Sequence, residues 1–281
     1  MSNQSQVSQS ISDAYFTPEV SSEFCVDQLQ QLGWVNSNTK VLEPCVGDGS
    51  LVKHLPTDNI TACDLIDHGY PNVEVGDYLQ RAPTDADLVF TNPPFGRMGS
   101  LALKIMNKAM SECDRVAMIL PSSFRKISII DRINPWFHPV YDNDLPNKHF
   151  RLPNGETRWV NTIFQCWERK EHRRPIIKDI FHYSSFTRRV SPTDAEFAFR
   201  TQGASAGRVL NGLDYNPAST AFLRGGLDRI KGHDWTGIAS QTAGIPAIGL
   251  MDVAYGLHLE DQGIDLTDYL KRGIVSSLIN T

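Results

Sequence analysis

Nothing in the chain restricts its fold more than the step from Asp87-Leu88-Val89-Phe90 into Thr91-Asn92-Pro93-Pro94-Phe95. The two prolines lock φ and supply no N–H, so this segment can neither extend a ladder nor continue a helix. The apolar run must therefore be a strand that ends in a short, stiff loop. Comparable runs occur at residues 40–43, 59–65, 73–75 and 115–121. Continuous apolar strands of this kind predict an α/β fold built on a parallel, Rossmann-like sheet with helices on both faces.

The loop itself carries a narrow set of groups: the Asn92 amide, the backbone carbonyls of Asn92 and Pro93, and the Phe95 ring. With no N–H at Pro93 or Pro94, those carbonyls are acceptors in need of a donor. An exocyclic amine on a heteroaromatic ring is such a donor. Its lone pair is delocalised into the ring, and two acceptors on its two hydrogens would draw the nitrogen toward a tetrahedral shape and release that pair. Phe95 could stack on the face of the same ring, as extruded bases are held.

Upstream, residues 40–51 read as a strand, a glycine turn and the start of a short helix over residues 50–55. That arrangement lets a backbone approach an adenosine cofactor closely. Only Gly47-x-Gly49 of the dinucleotide pattern is present, and Glu43 closes the strand. An acid there suits the cationic sulfonium and ammonium of S-adenosylmethionine better than a pyrophosphate. Asp64 falls 21 residues beyond Glu43, at the end of the next strand, the spacing at which an acid takes ribose hydroxyls.

Together these segments resemble the amino-methyltransferases, specifically the N6-adenine DNA methyltransferases with gamma-like motif order X, I, IV. Asn92-Pro93-Pro94-Phe95 resembles motif IV, and the resemblance implies that these four residues are catalytic. Val41-Leu42-Glu43-Pro44-x-x-Gly47-x-Gly49 resembles motif I, and Tyr15-Phe16-Thr17-Pro18 resembles motif X, which lies against the methionine end of the cofactor. Gly76-Asp77-Tyr78 resembles motif III, whose acid accepts from the adenine amino group. The implied cofactor is S-adenosyl-L-methionine, held by Phe16, Thr17, Glu43, Pro44, Gly47, Gly49, Asp64, Leu65, Asp77, Tyr78 and Asn92. A strand over residues 159–167 resembles motif VIII, near which Phe150 or Trp159 would supply a second ring against a flipped base. The resemblance covers residues 13–170. Residues 171–281 match no recognisable recognition domain and are expected to form a smaller C-terminal module, with a strand near Ala195–Arg200 and a helix near Ile248–Leu257.

Charge supports a polyanionic partner by its distribution. Residues 1–96 carry 3 Lys/Arg against 13 Asp/Glu, residues 97–178 carry 15 against 8, and residues 179–281 carry 9 against 11. The cationic excess begins just past the proline loop, so Arg97, Arg125 and Lys126 are expected phosphate contacts. DNA is the expected partner, with adenine in RNA or a glutamine amide as alternatives for the same chemistry, and non-catalytic binding as an alternative of another class. Five scattered cysteines without Cys-x-x-Cys argue against a disulfide framework or a zinc site, and no metal is implied. No apolar run is long enough to span a bilayer and no signal peptide precedes the fold, which suggests a cytoplasmic protein. Residues 1–12, rich in Ser and Gln, read as a flexible tail. A helix is expected from Pro18 to Leu32, capped by Thr17 and burying Val20, Phe24, Leu29 and Leu32. The sequence is compatible with a monomer or a homodimer, and with a restriction-modification, phage or solitary setting.

Overall fold

The computed structural model describes residues 14–279, so the expected tail over residues 1–12 lies outside the described residues. Two units are present: residues 14–121 with 136–172, and residues 122–135 with 173–279. The single expected boundary after residue 170 is thus corrected. Residues 122–135 belong with the C-terminal unit, because Ile127 N–H donates to Asp252 Oδ1 at 3.1 Å, Ile177 N–H to Asp131 Oδ1 at 2.8 Å, and Ile274 N–H to the Arg125 carbonyl at 3.1 Å.

The first unit is built on a seven-stranded sheet. In chain order its elements are α1 (Glu19–Gln31), β1 (Val41–Glu43), β2 (Ile60–Asp64), β3 (Glu74–Val75), β4 (Leu88–Thr91), α2 (Ser100–Glu112), β5 (Arg115–Pro121), β6 (Phe137–Asp144), β7 (His149–Arg151), β8 (Thr157–Trp159) and β9 (Thr162–Arg169). The strand order is β3-β2-β1-β4-β5-β9-β6. Strands β1 to β5 pair in parallel, and β9 runs antiparallel to both β5 and β6. The expected Rossmann-like α/β sheet is therefore present. Strands β1, β4 and β9 are buried on both faces, as parallel and central strands require. Leu88, Phe90, Ala117 and Ile119 share one cluster with Cys25, Val26 and Leu29 of α1. Val89, Val116 and Met118 point to the opposite face, and α2 packs along β5.

This order has a consequence for the site. The chain winds outward from β1 through β2 to β3, then returns to β4 on the other side of β1. The loops leaving the carboxyl ends of β1 and β4 therefore part at the point where the winding reverses, and a crevice opens between them. Those are the glycine turn and the Asn-Pro-Pro-Phe loop.

Three local expectations are corrected. The helix expected over residues 50–55 is a run of turns, with Val52 N–H bonding to Gly49 and Leu55 N–H to Val52, each three residues apart; Pro56 bars a continuation. The helix α1 begins one residue late, with Pro18 rather than Thr17 as its cap, because the Thr17 groups are engaged elsewhere. Val20 is 55% exposed, and the buried stripe instead runs through Ser21, Ser22, Cys25, Val26 and Leu29. The two serines satisfy their hydroxyls on the carbonyls of Asn147 (2.6 Å) and Leu51 (2.7 Å), which is how polar residues occupy a core-facing stripe.

The second unit holds a separate four-stranded sheet containing Phe197–Arg200 at the expected strand, and a helix over Leu250–Asp261 where one over 248–257 was expected. No helix among the described residues is long and apolar enough to cross a membrane.

Candidate active site

The Asn-Pro-Pro-Phe loop leaves β4 with Thr91 and Pro93 buried and Asn92 half-buried. Among the described residues no hydrogen bond reaches the Asn92 or Pro93 carbonyl, so both remain acceptors as the prolines dictate. The Asn92 side chain is fixed instead by the segment before α1. Its Nδ2 donates to the Tyr15 carbonyl at 2.9 Å and to Thr17 Oγ1 at 3.3 Å. A backbone carbonyl can only accept, so the amide nitrogen must face it and Oδ1 is left as the acceptor end. Phe95 is half-buried against the core cluster, its carbonyl receiving Leu101 N–H at 3.1 Å, which ties the loop to the first turn of α2. Arg97 and Met98 follow at the surface, Met98 with φ of 54°.

The glycine turn lies alongside. Gly47 N–H donates to Asp64 Oδ2 at 2.8 Å, joining the ends of β1 and β2. The other Asp64 oxygen takes Ile66 N–H at 3.2 Å, and Leu65 between them is 42% exposed. Both glycines have positive φ, and each carries a ring: Phe16 lies 3.2 Å from where a Gly47 Cβ would be, and Tyr70 lies 2.3 Å from that of Gly49. Thr17 N–H donates to Ser50 Oγ at 3.0 Å. A depression of about 600 Å³ is lined by Thr17, Gly49, Ser50, Tyr70 and Arg151, among others.

Glu43 is the most perturbed acid of this cluster. Pro44 beside it is buried, and one Glu43 oxygen accepts Cys45 N–H at 2.9 Å. The other is buried with no donor in bonding geometry among the described residues. Burial pushes the carboxyl up to about 8, and the Asp64 charge adds to this, while the Thr91 hydroxyl and the Cys45 N–H oppose it. An acid held this way favours its charged form only when a cation or donor arrives.

The hairpin of β7 and β8 closes the other side. Phe16 and Arg151 exchange backbone hydrogen bonds of 2.9 and 3.2 Å, the Arg151 guanidinium lies 4.6 Å from the Phe16 ring centroid, and it pairs with Asp48 of the glycine turn. Arg158 donates to the Tyr15 hydroxyl at 3.0 Å.

Of the residues expected from sequence, Asn92, Pro93, Phe95, Phe16, Thr17, Glu43, Gly47, Gly49 and Asp64 are thus linked by contact or by adjacency. Several others are not. Phe150 is a core side chain, 1% exposed and edge-on to Tyr15, so it has no face to offer a base. Trp159 is 55% exposed at the hairpin's other strand, in register with His149. Tyr78 is buried beneath Lys108 of α2, and Asp77 spends an oxygen capping the turn Tyr78–Gln80 through Leu79 N–H at 2.9 Å. Arg125 and Lys126 are corrected outright: both are buried in the second unit. Arg125 bonds to Gln241 at 3.1 Å and Lys126 to the Ala247 carbonyl, and burial lowers Lys126 to about 8 against the pull of Asp252. Much of the remaining cationic excess is also spent internally, as in the pairs Lys108–Glu112, Lys148–Asp144 and Arg115–Glu168. The sequence did not single out Ser50 or Tyr70, and it assigned Tyr15 no role beyond opening the Tyr-Phe-Thr-Pro signal; Tyr70 meets Gly49 only through the fold.

No protein-family model and no curated protein matches the sequence. Solved structures resemble parts of it. A candidate RNA methyltransferase from Pyrococcus horikoshii aligns over 57% of this chain and 88% of its own at 16% identity and a TM-score of 0.46. A dimethyladenosine transferase from Plasmodium falciparum aligns over 56% and 63% at 17% identity and 0.38. A type I restriction-modification methyltransferase subunit from Streptococcus thermophilus aligns over 55% and 45% at 15% identity and 0.39.

Proposed function

We propose that this chain transfers a methyl group from S-adenosyl-L-methionine to the N6 amino group of adenine in DNA. The observation that carries the reading is the Asn92 amide, whose nitrogen is tied to the Tyr15 carbonyl and Thr17 hydroxyl beside two backbone carbonyls with no partner among the described residues. Asn92 Oδ1 and the Pro93 carbonyl accept the two amine hydrogens, which withdraws the nitrogen lone pair from the purine and makes it nucleophilic without a strong base. Phe95 stacks on the base, and Trp159, exposed where Phe150 is buried, is the candidate for a second ring. In a duplex the base is flipped out, at a cost of a few kcal/mol that stacking and the acceptor pair offset.

The cofactor fits the residues present. A buried Glu43 oxygen with no donor in bonding geometry, raised in pKa, suits a cation rather than a phosphate, and Asp64 at the end of β2 would take the ribose hydroxyls. Glu43, Gly47, Asp64 and Leu65 would hold it, with Phe16 covering the glycine turn. When bound, it supplies an electrophilic methyl group on a sulfonium. Tritiated-methyl transfer to adenine-containing DNA, to RNA and to protein, followed by nucleoside digestion, tests the reading. N6-methyladenine in DNA is expected; label in RNA alone or in protein alone would redirect the acceptor, and no transfer to any of the three would refute the function.

A further inference from the structure

Resting on that reading, we propose that the segment Tyr15–Thr17 is the positioning element of the Asn92 amide: the Tyr15 carbonyl, which can only accept, selects which end of the amide meets the substrate amine, and the Thr17 hydroxyl, a second acceptor for the same nitrogen, holds it there. A carboxamide has two ends of nearly equal shape and opposite hydrogen-bonding sense. Turned one way it accepts from an amine; turned the other it presents N–H to N–H and repels the substrate. Asn92 follows a strand and precedes a proline, so its backbone is rigid, but nothing in that backbone selects between the two orientations.

The selection comes from across the crevice. Nδ2 donates to the Tyr15 carbonyl at 2.9 Å and to Thr17 Oγ1 at 3.3 Å, so the nitrogen end faces this segment and Oδ1 is the end that remains. The accepting segment is itself held from three directions. Thr17 N–H is bound to Ser50 of the glycine turn at 3.0 Å, Phe16 is bridged to Arg151, and the Tyr15 hydroxyl receives Arg158 at 3.0 Å. This also accounts for a threonine before Pro18 that does not cap α1: its hydroxyl is turned to Asn92. Thr17 is a positioning residue here, acting through Asn92.

The backbone carbonyl cannot be altered, so the test uses Thr17→Val, which keeps the shape and removes the acceptor, and Thr17→Ser, which restores it. Two measurements are made on the full chain. The first is the ¹⁵N-detected side-chain NH2 signal of Asn92, assigned by its loss in Asn92→Asp. The second is methyl transfer to DNA, with kcat separated from the cofactor Kd measured by calorimetry. With one of two neutral hydrogen bonds removed, Thr17→Val is expected to shift the Asn92 NH2 pair, speed its exchange with solvent and lower kcat about tenfold with cofactor Kd within twofold, and Thr17→Ser to recover most of both. An NH2 pair unchanged in Thr17→Val overturns the proposal. So does a shifted pair with unchanged kcat, or a loss that lies wholly in cofactor Kd. If wild-type protein transfers methyl to no acceptor, the function fails and the positioning role fails with it, while the NH2 signals still report whether the anchor exists.

Discussion

Glu43 gives the sharpest test of the site's electrostatics. Its carboxyl is buried and raised from about 4.5 to about 8 in the folded chain. A raised acid stabilises the fold most at low pH: its contribution is intact below the unfolded pKa and is lost as pH climbs through the folded one. Each pKa unit of difference corresponds to about 1.4 kcal/mol, so between pH 5 and pH 9 the cofactor-free protein should lose on the order of 4 kcal/mol at this residue. Glu43→Gln keeps the shape and removes the titration. Denaturation at pH 5, 6, 7, 8 and 9, followed by hydrogen exchange at peptides of β1 and β4 so that only the unit holding Glu43 is read, should show the variant gaining on wild type by that amount, most of it between pH 5 and 8. A difference that stays constant across the range would refute the assignment. The cofactor makes a matching demand. At pH 7 a carboxyl of pKa about 8 is roughly nine-tenths protonated, so arrival of a sulfonium beside it should expel up to about 0.9 proton, read as buffer-dependent binding enthalpy. Glu43→Gln should abolish that release.

Four further outcomes are expected. Asn92→Ala should lower kcat for methyl transfer by about a hundredfold or more while calorimetry finds cofactor affinity unchanged, because it removes the acceptor for the amine and the amide's bonds to Tyr15 and Thr17 but leaves Glu43 and Asp64 in place. Asp64→Ala should weaken cofactor binding by about tenfold in the same calorimetric measurement, since it removes both an acceptor and the brace on Gly47 N–H. Gly49→Ala, which adds a Cβ at positive φ against the Tyr70 ring, should cost about 1–3 kcal/mol in chemical denaturation, partly recovered by adding Tyr70→Ala. The two ring candidates should separate: Phe150→Ala destabilises by about 3–5 kcal/mol, whereas Trp159→Ala leaves stability within about 0.5 kcal/mol and weakens DNA binding by about 1–3 kcal/mol in fluorescence anisotropy.

What the sequence determined by itself is whatever short-range chemistry dictates. Two prolines after an apolar run allow only a strand ending in a rigid loop with accepting carbonyls, and a glycine turn after a buried strand allows only a close backbone approach. The seven-stranded sheet follows from such runs, because a strand apolar on both faces has few other places to go. Tertiary structure decided whatever depends on which distant segments meet. Phe150 and Trp159 lie nine residues apart with equally plausible rings, and only the packing of the hairpin on the core buries one and exposes the other. Arg125 and Lys126 belong to a locally cationic run, but hydrogen bonds to Gln241, Ala247 and Ile274, all more than a hundred positions away, draw them into the second unit. The orientation of the Asn92 amide is set by Tyr15 and Thr17, more than seventy residues earlier in the chain. No local pattern encodes it, because the free energy that fixes the amide arises only when the sheet has brought the two segments face to face.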